Sequence, residues 1–138
     1  MSNSDCIFCK IVSGEIPSLK LSEGRYTIAI LDANPVSLGH TLIITKEHHE
    51  DITNMSREEL AEIAEQQQLL APAISAVTGC AAYNLLNNTG ELAGQVIKHC
   101  HFHIIPRYED DGIVMAFGKV ELDEDTKLEL ADQIRENI

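Results

Sequence analysis

The residues of this chain best suited to chemistry are three histidines at alternate positions near its C-terminal third: His99, His101 and His103. They lie in the segment KHCHFHIIPR, whose alternation of polar and apolar residues predicts a β-strand that Pro106 ends. Alternate side chains of a strand share a face, so the imidazoles are expected in a row while the residues between them enter a core. Shielded imidazoles need partners for both ring nitrogens, which indicates catalysis or metal binding; a surface ladder is the simpler alternative.

A second group of candidate ligands lies near the N-terminus, where Cys6 and Cys9 form a C-x-x-C motif. The surrounding apolar segment is expected to make one or two helical turns before Ser13-Gly14. Two thiolates at this spacing can hold a zinc ion if two more ligands come from elsewhere in the chain. The alternatives are two packed thiols or a redox pair, but a redox pair usually follows a strand, for which five residues leave no room.

The elements that must position these residues are predicted from periodicity. Runs of β-forming residues predict strands at residues 26–31, 41–45 and 81–86. A long helix is expected from a capping box at Ser56 and Glu59 to Gly79, and a last helix from Asp123 or Asp125. This order of elements predicts an α+β domain. The acidic residues of the long helix are expected to form a solvated face: Glu58, Glu59, Glu62 and Glu65.

The loop at residues 87–95 is rich in amides and glycines, which let a backbone approach a ligand closely. Turn formation alone explains these residues. However, the loop leads through Val96-Ile97 into the histidine strand, so its amides and the imidazoles can converge. Asp32, beside Asn34 and Pro35, is most simply a turn-forming residue.

Size and charge narrow the possible functions. A chain of 138 residues that is 44% apolar suits one domain covering residues 1–138. The net charge of −12 and pI near 4.7 oppose binding to long nucleic acid, but a small phosphorylated ligand is possible where positive potential is local. The first five residues lack the features of a secretory signal, and no apolar run could span a bilayer. We expect a cytoplasmic protein with reduced cysteines, no membrane association and no binding to long nucleic acid.

The histidine segment, His99-Cys100-His101-Phe102-His103-Ile104-Ile105, resembles the H-φ-H-φ-H-φ-φ signature of the histidine triad (HIT) superfamily of nucleotidyl hydrolases and transferases. Gly94-Gln95 and Gly39-His40 lie where that family has its G-Q and G-H pairs. The opening from Cys6, the Gly14-Glu15-Ile16-Pro17 segment, and Lys46 with His48 look like the zinc-containing, Hint-like branch. The resemblance extends from Cys6 to Arg107.

The resemblance implies an α+β fold with a five-stranded antiparallel sheet, one long helix and a C-terminal helix, paired in a homodimer. It also implies a nucleotidyl hydrolase or adenosine 5'-phosphoramidase that transfers a purine nucleoside monophosphate to His101 and then to water. His103 and His40 would stabilise the phosphate oxygens. The residue chemistry agrees, because a neutral imidazole with a pKa of about 6.5 can attack phosphorus without a strong base, and no catalytic metal is required.

Residue matching also implies the remaining parts of the site. Asp32 would accept hydrogen bonds from the ribose, while Asn88, Gln95 and the Val96 backbone would face the phosphate. The purine pocket would be lined by Ile7, Phe8, Ile11 and Leu31. A structural zinc ion would be held by Cys6, Cys9, His48 and His99. In the alternative, His99 orients His101 instead of binding metal.

The sequence does not determine the leaving group of the substrate. Val96 occupies the position where a eukaryotic phosphoramidase group has a serine near the leaving-group nitrogen. Dinucleoside polyphosphate hydrolysis is therefore an alternative to phosphoramidate hydrolysis. Two other hypotheses are a nucleotide-binding interaction module with little turnover and a metal buffer that uses all the histidines and cysteines.

Overall fold

The computed structural model describes residues 3–138; Met1 and Ser2, part of the segment expected to lack a secretory signal, lie outside the described residues. Within that range, five strands form one antiparallel sheet in the order β1-β2-β3-β5-β4, accompanied by three α-helices. This confirms the predicted fold class. The strands are β1 (Lys20–Glu23), β2 (Thr27–Leu31), β3 (Thr41–Thr45), β4 (Ala82–Asn87) and β5 (His101–Arg107). The helices are α1 (Ile7–Ser13), α2 (Arg57–Thr78) and α3 (Glu124–Glu136).

The two faces of the sheet bury different clusters. On one face, α2 packs its Ile63, Leu70 and Ile74 against Cys100, Phe102 and Ile104 and against residues of the central strands. On the other face, α1 places Cys6, Phe8 and Cys9 against alternate residues of β2 and β3. In β3, Leu42 pairs with His103 and Ile44 pairs with His101. Paired residues share a face, so the histidines lie on the α1 side, as the alternation predicts.

Strand β5 does not end at Pro106, and that prediction is wrong. Pro106 pairs with Tyr83 of β4, and the strand continues to Arg107. The pairing of β5 with β3 already ends at Ile104, so beyond that residue β5 has a strand neighbour on one side only. Proline is tolerated there because its missing N–H removes no bond to a neighbouring strand.

Both ends of α2 form as expected. The Ser56 hydroxyl accepts a hydrogen bond from the Glu59 backbone N–H at 3.1 Å, and the Glu59 carboxylate accepts one from the Ser56 N–H at 2.7 Å. Gly79 ends the helix in the left-handed conformation with φ of 76°. Helix α2 continues through Pro72 without interruption.

The acidic residues of α2 do not all face solvent, so the expected solvated face is wrong for two of them. Glu59 is only 4% exposed and its Oε1 lies 2.9 Å from His49 Nε2. Glu62 accepts hydrogen bonds from the backbone N–H groups of Arg25 and Tyr26. These two carboxylates therefore hold the connecting segments of the sheet against α2, while Glu58 and Glu65 remain exposed.

The chain leaves the sheet after β5 through a turn that is held by the ion pair of Arg107 with Asp111. Arg107 donates to the Asp111 carboxylate at 2.8 Å and to the Asn84 side chain at 3.0 Å. Helix α3 follows, capped by Asp123, and none of its residues is buried. Among the residues described, no helix is both long enough and apolar enough to cross a bilayer.

Candidate active site and metal centre

A cleft of about 600 Å³ opens on the α1 side of the sheet, bounded by α1, the segment after β2 and the loop that precedes β5. The structure brings most of the predicted binding and catalytic residues together around it: Ile7, Phe8, Ile11, Leu31, Asp32, Asn88, Val96, His101 and His103. Two predicted residues, Gln95 and His40, do not line this cleft. Its apolar part also includes residues that the sequence did not single out, such as Leu42 and Ile97.

His101 is held in a defined orientation at the cleft. Its Nδ1 lies 2.7 Å from the backbone carbonyl oxygen of His99, so Nδ1 must carry the proton and donate. In a neutral ring this leaves the lone pair on Nε2. The ring also meets the edge of Phe8 at 4.8 Å between centroids. His101 is 8% exposed, so few other conformations are open to it, and it has the form of a nucleophile whose tautomer is fixed by the backbone.

His103 is fixed by a chain of hydrogen bonds that begins at a backbone amide. The Val36 N–H donates to His40 Nδ1 at 3.2 Å, so the proton of a neutral His40 lies on Nε2. That atom is 2.9 Å from His103 Nδ1, which must then accept. The proton of His103 consequently lies on its Nε2, the remaining ring nitrogen. His103 is thereby prepared as an N–H donor at the cleft, and His40 acts behind it.

Burial keeps these imidazoles neutral near pH 7. It lowers the pKa of His103 to about 4, helped by the neighbouring His101 and His40. Burial also lowers the pKa values of His101 and His40 below 6.5, although the His99 carbonyl and Asp32, respectively, oppose this. Stabilisation of phosphate oxygens would thus come from neutral N–H groups and not from the positive charge of protonated imidazoles.

The position of Asp32 is compatible with both roles considered from the sequence, which are turn formation and acceptance of hydrogen bonds from a ligand. One carboxylate oxygen accepts from the Asn34 N–H at 2.8 Å, which is the turn interaction. The other lies 3.6 Å from His40 Nε2. The side chain also lines the cleft, so its carboxylate has acceptor capacity left for hydroxyl groups of a ligand.

The loop before β5 places Asn88, Gly94 and Val96 at the cleft. Val96 is 90% exposed and brings no hydrogen-bonding side chain. Gln95 points the other way and is only 7% exposed. The predicted contact of Gln95 with phosphate is therefore open only to its backbone.

A second cluster joins the N-terminal helix to the histidine strand. Each of its members offers one ligand atom, and these atoms all lie within 4.8 Å of one another: Cys6, Cys9, His48 and His99. His99 Nδ1 lies 3.3 Å from Cys6 Sγ, 3.5 Å from Cys9 Sγ and 3.2 Å from His48 Nδ1. Cys9 Sγ lies 3.3 Å from His48 Nδ1.

These separations fit a tetrahedral zinc site. Nitrogen ligands at 2.0–2.1 Å and thiolates at 2.3 Å from zinc are themselves separated by about 3.3–3.8 Å in a tetrahedron. His99 is also prepared as a ligand, because its Nε2 donates to the Thr45 carbonyl at 2.7 Å and leaves the Nδ1 lone pair towards the thiols. The residues therefore could bind a metal, and four protein ligands would close its coordination sphere.

His49 is separated from this cluster. Its ring lies against Glu59 of α2, on the opposite side from His48. Its backbone carbonyl accepts a hydrogen bond from the Cys100 N–H at 2.6 Å. Of these two neighbouring histidines, only His48 therefore reaches the cluster.

The fold and this histidine arrangement are those of the histidine triad class of proteins. The HIT domain family model matches residues 13–110, and the chain belongs to the HIT family.

Two relatives have names that state an activity, and one solved structure is named as zinc-bound. The chain is 47% identical over 108 residues to the adenylylsulfatase HINT3 of Arabidopsis thaliana, covering 78% of this chain and 55% of that protein. It is 43% identical over 106 residues to the adenosine 5'-monophosphoramidase hnt1 of Schizosaccharomyces pombe, covering 77% of each. A crystal structure of a zinc-bound histidine triad family protein from Mycobacterium smegmatis matches with a TM-score of 0.73 and 31% identity, covering 94% of this chain and 97% of that one.

Proposed function

We propose that this protein hydrolyses adenosine 5'-phosphoramidates, or closely related purine nucleotide conjugates, and releases the nucleoside monophosphate. The observation that carries the proposal is the orientation of His101, whose Nδ1 is bonded to the His99 carbonyl at 2.7 Å. This leaves Nε2 as the nucleophilic ring atom in a cleft that can hold a nucleotide.

The reaction would take two displacements at the α-phosphorus. In the first, the His101 Nε2 lone pair forms a P–N bond while the bond from phosphorus to the substrate's leaving nitrogen breaks, and that nitrogen takes a proton from the medium and departs as the amine. In the second, water forms a P–O bond, the P–Nε2 bond breaks, and a proton passes from water to the medium. Nucleoside monophosphate is released and His101 returns to its neutral state.

The cleft supplies positions for each part of the nucleotide. The apolar side chains Ile7, Phe8, Ile11 and Leu31 suit a purine base. Asp32 would accept from the ribose hydroxyls. His103 would donate its Nε2 proton to a phosphate oxygen, and the Gly94-Val96 backbone together with Asn88 would face the same group. In this scheme no metal acts at the phosphate.

A second candidate substrate is one whose leaving group needs no proton. The amine of a phosphoramidate departs readily only when it is protonated, and Val96, at 90% exposure on the cleft rim, offers no proton donor. A sulfate or phosphate leaves as a stable anion. Adenylyl sulfate, on which the relative from Arabidopsis acts by its name, and dinucleoside polyphosphates are therefore the comparison substrates.

The Cys6, Cys9, His48 and His99 cluster is proposed to hold a structural zinc ion. Bound there, zinc would cross-link the N-terminal helix to the sheet. His99 would then serve the metal through its Nδ1 and the nucleophile through its backbone carbonyl.

We further propose that residues 1–138 form one domain that works as a homodimer. Strand β4 is at the edge of the sheet, with Tyr83 and Leu85 at 45% and 49% exposure. Helix α3 carries Leu128 and Ile134, each 62% exposed. Such apolar surface suits burial against a second copy. Sedimentation velocity should show a dimer, and a monomer at micromolar concentration would contradict this part.

The function is tested by incubating the zinc-loaded protein with adenosine 5'-phosphoramidate, adenylyl sulfate and diadenosine polyphosphate and following release of adenylate. We expect turnover of at least one of them, and loss of that turnover in His101→Ala. Equal rates for the two proteins would contradict the proposal. Tight adenylate binding with turnover far below about 10⁻² s⁻¹ on all three, against typical values of about 1 to 10³ s⁻¹, would instead favour the interaction module.

A further inference from the structure

The buried side-chain amide of Gln95 makes three hydrogen bonds that none of the proposed catalytic steps uses. Its Oε1 accepts from the Gly90 N–H at 2.8 Å. Its Nε2 donates to the carbonyl oxygens of Glu50 at 2.8 Å and Ile97 at 3.2 Å. One acceptor and two donors are thus all satisfied, and only this orientation of the amide matches the three partners.

These bonds join two segments that are distant in sequence. Glu50 follows His48 by two residues, so its carbonyl belongs to the segment that supplies a ligand atom to the metal cluster. Gly90 begins the turn that places Gly94 and Val96 at the cleft. The turn is also tied by its backbone, because the Gln95 N–H donates to the Gly90 carbonyl at 3.0 Å.

Among the described residues, no side chain that lines the cleft or supplies a metal-ligand atom makes this connection. The segment from His48 to Glu50 is also fixed to the start of β5, because the Cys100 N–H donates to the His49 carbonyl at 2.6 Å. The segment is thereby held between the metal cluster on one side and Gln95 on the other. A displacement of His48 would move the Glu50 carbonyl, and through it the turn at Gly90.

We propose that Gln95 is a positioning residue that couples occupancy of the Cys6, Cys9, His48 and His99 site to the shape of the phosphate-facing loop. This deepens the proposed function and rests on it for the identity of the ligand. A metal ion fixes His48, Gln95 transmits that constraint to Gly90, and the backbone from Gly94 to Val96 is presented to the phosphate. Because coupling between two binding sites is reciprocal, adenylate must tighten metal binding by the factor by which metal tightens adenylate binding.

The test measures zinc affinity by competition with a chromophoric chelator, with and without saturating adenylate. The proteins are wild type, Gln95→Ala and, as a control amide on the exposed side of α2, Gln68→Ala. We expect adenylate to tighten zinc binding by about fivefold or more in wild type and in Gln68→Ala, and by less than about twofold in Gln95→Ala. An equal factor in wild type and Gln95→Ala, or no effect in wild type, would overturn the coupling.

A second variant and a second measurement test the proposal if Gln95→Ala does not fold or if wild type does not bind adenylate. Gln95→Met retains the side-chain volume without the three hydrogen bonds, and it replaces Gln95→Ala if that variant lacks native helix content by circular dichroism. If wild type does not bind adenylate, the proposed function fails, but zinc affinity without nucleotide still tests the connection. Weaker zinc binding in the Gln95 variant, again by about fivefold, supports it, and unchanged affinity contradicts it.

Discussion

The Nε2 atom of His40 lies 2.9 Å from the Nδ1 atom of His103, and the Val36 N–H occupies the other nitrogen of His40. A backbone amide 67 positions before His103 in the chain therefore decides which of its ring nitrogens carries the proton. His40, which resembles a catalytic residue in the sequence, is in the structure the hydrogen-bond partner that sets the tautomer of His103.

Replacing His40 should consequently damage the reaction more than it damages binding. His40→Ala is expected to lower kcat by about 10- to 100-fold, less than the 10²- to 10³-fold typical for loss of a direct donor, while KM changes little. His40→Gln, which keeps one acceptor and one donor, should recover part of the loss. A rise in KM with unchanged kcat would place His40 in substrate binding and contradict this assignment.

The buried histidines should make stability depend on pH. Since burial lowers the pKa of His103 from 6.5 to about 4, the unfolded chain binds a proton in this window that the folded chain does not. Stability is then full above pH 6.5 and falls as the pH drops towards about 4, by at most about 3 kcal/mol for this residue. Urea denaturation between pH 7 and pH 4.5 should show a steeper decline in wild type than in His103→Gln. Identical slopes would refute the contribution of His103.

Glu62 should stabilise the turn between β1 and β2 through its carboxylate. Glu62→Gln puts an N–H group against donors that now bond to the carboxylate, among them the Tyr26 N–H at 2.8 Å. We expect a loss of about 1–3 kcal/mol in the free energy of unfolding. Glu65→Gln, three residues along the same helix and exposed, should change it by less than about 0.5 kcal/mol. Urea denaturation measures both, and equal effects would contradict the role of Glu62.

The metal cluster should bind one zinc ion per chain, and the bound ion should stabilise the folded protein. The purified protein is expected to contain one zinc per chain by elemental analysis, and chelation should lower the melting temperature. Free zinc at 100 times its Kd would supply about 2.7 kcal/mol. Cys9→Ser should lose the metal, whereas Cys80→Ser, a buried thiol outside the cluster, should retain it. Several zinc ions per chain would favour the metal buffer, and retention of zinc by Cys9→Ser would contradict the assigned ligands.

Much of the fold follows from local pattern. The strands at β2, β3 and β4, the capping box of α2 and the left-handed Gly79 are encoded in neighbouring residues, and the structure has them within a residue or two of the predicted positions. Strand β1 was missed as a segment, although the family resemblance implied a fifth strand. Its four residues, Lys20–Glu23, are mostly exposed and lack an apolar face, so only pairing with β2 makes them a strand.

The errors and omissions come from contacts between segments far apart in sequence. Glu59 and Glu62 look like solvated residues of an amphipathic helix until their partners, His49 and the Tyr26 backbone, are known. The inward orientation of Gln95 depends on the Glu50 carbonyl, 45 residues away. Residue chemistry identified the histidines and cysteines, but their hydrogen-bond partners, and hence their tautomers, come from backbone groups that carry no sequence signal.

The most direct test of the central claim is to trap the covalent intermediate by rapid quenching and to measure the mass of the intact protein. Wild-type protein mixed with adenosine 5'-phosphoramidate and quenched within milliseconds should carry one adenylate per chain by intact mass spectrometry, located by peptide mapping to His101. The His101→Ala protein should carry none. Turnover without any adenylated protein, or adenylate attached to a residue other than His101, would contradict the central role given to its Nε2.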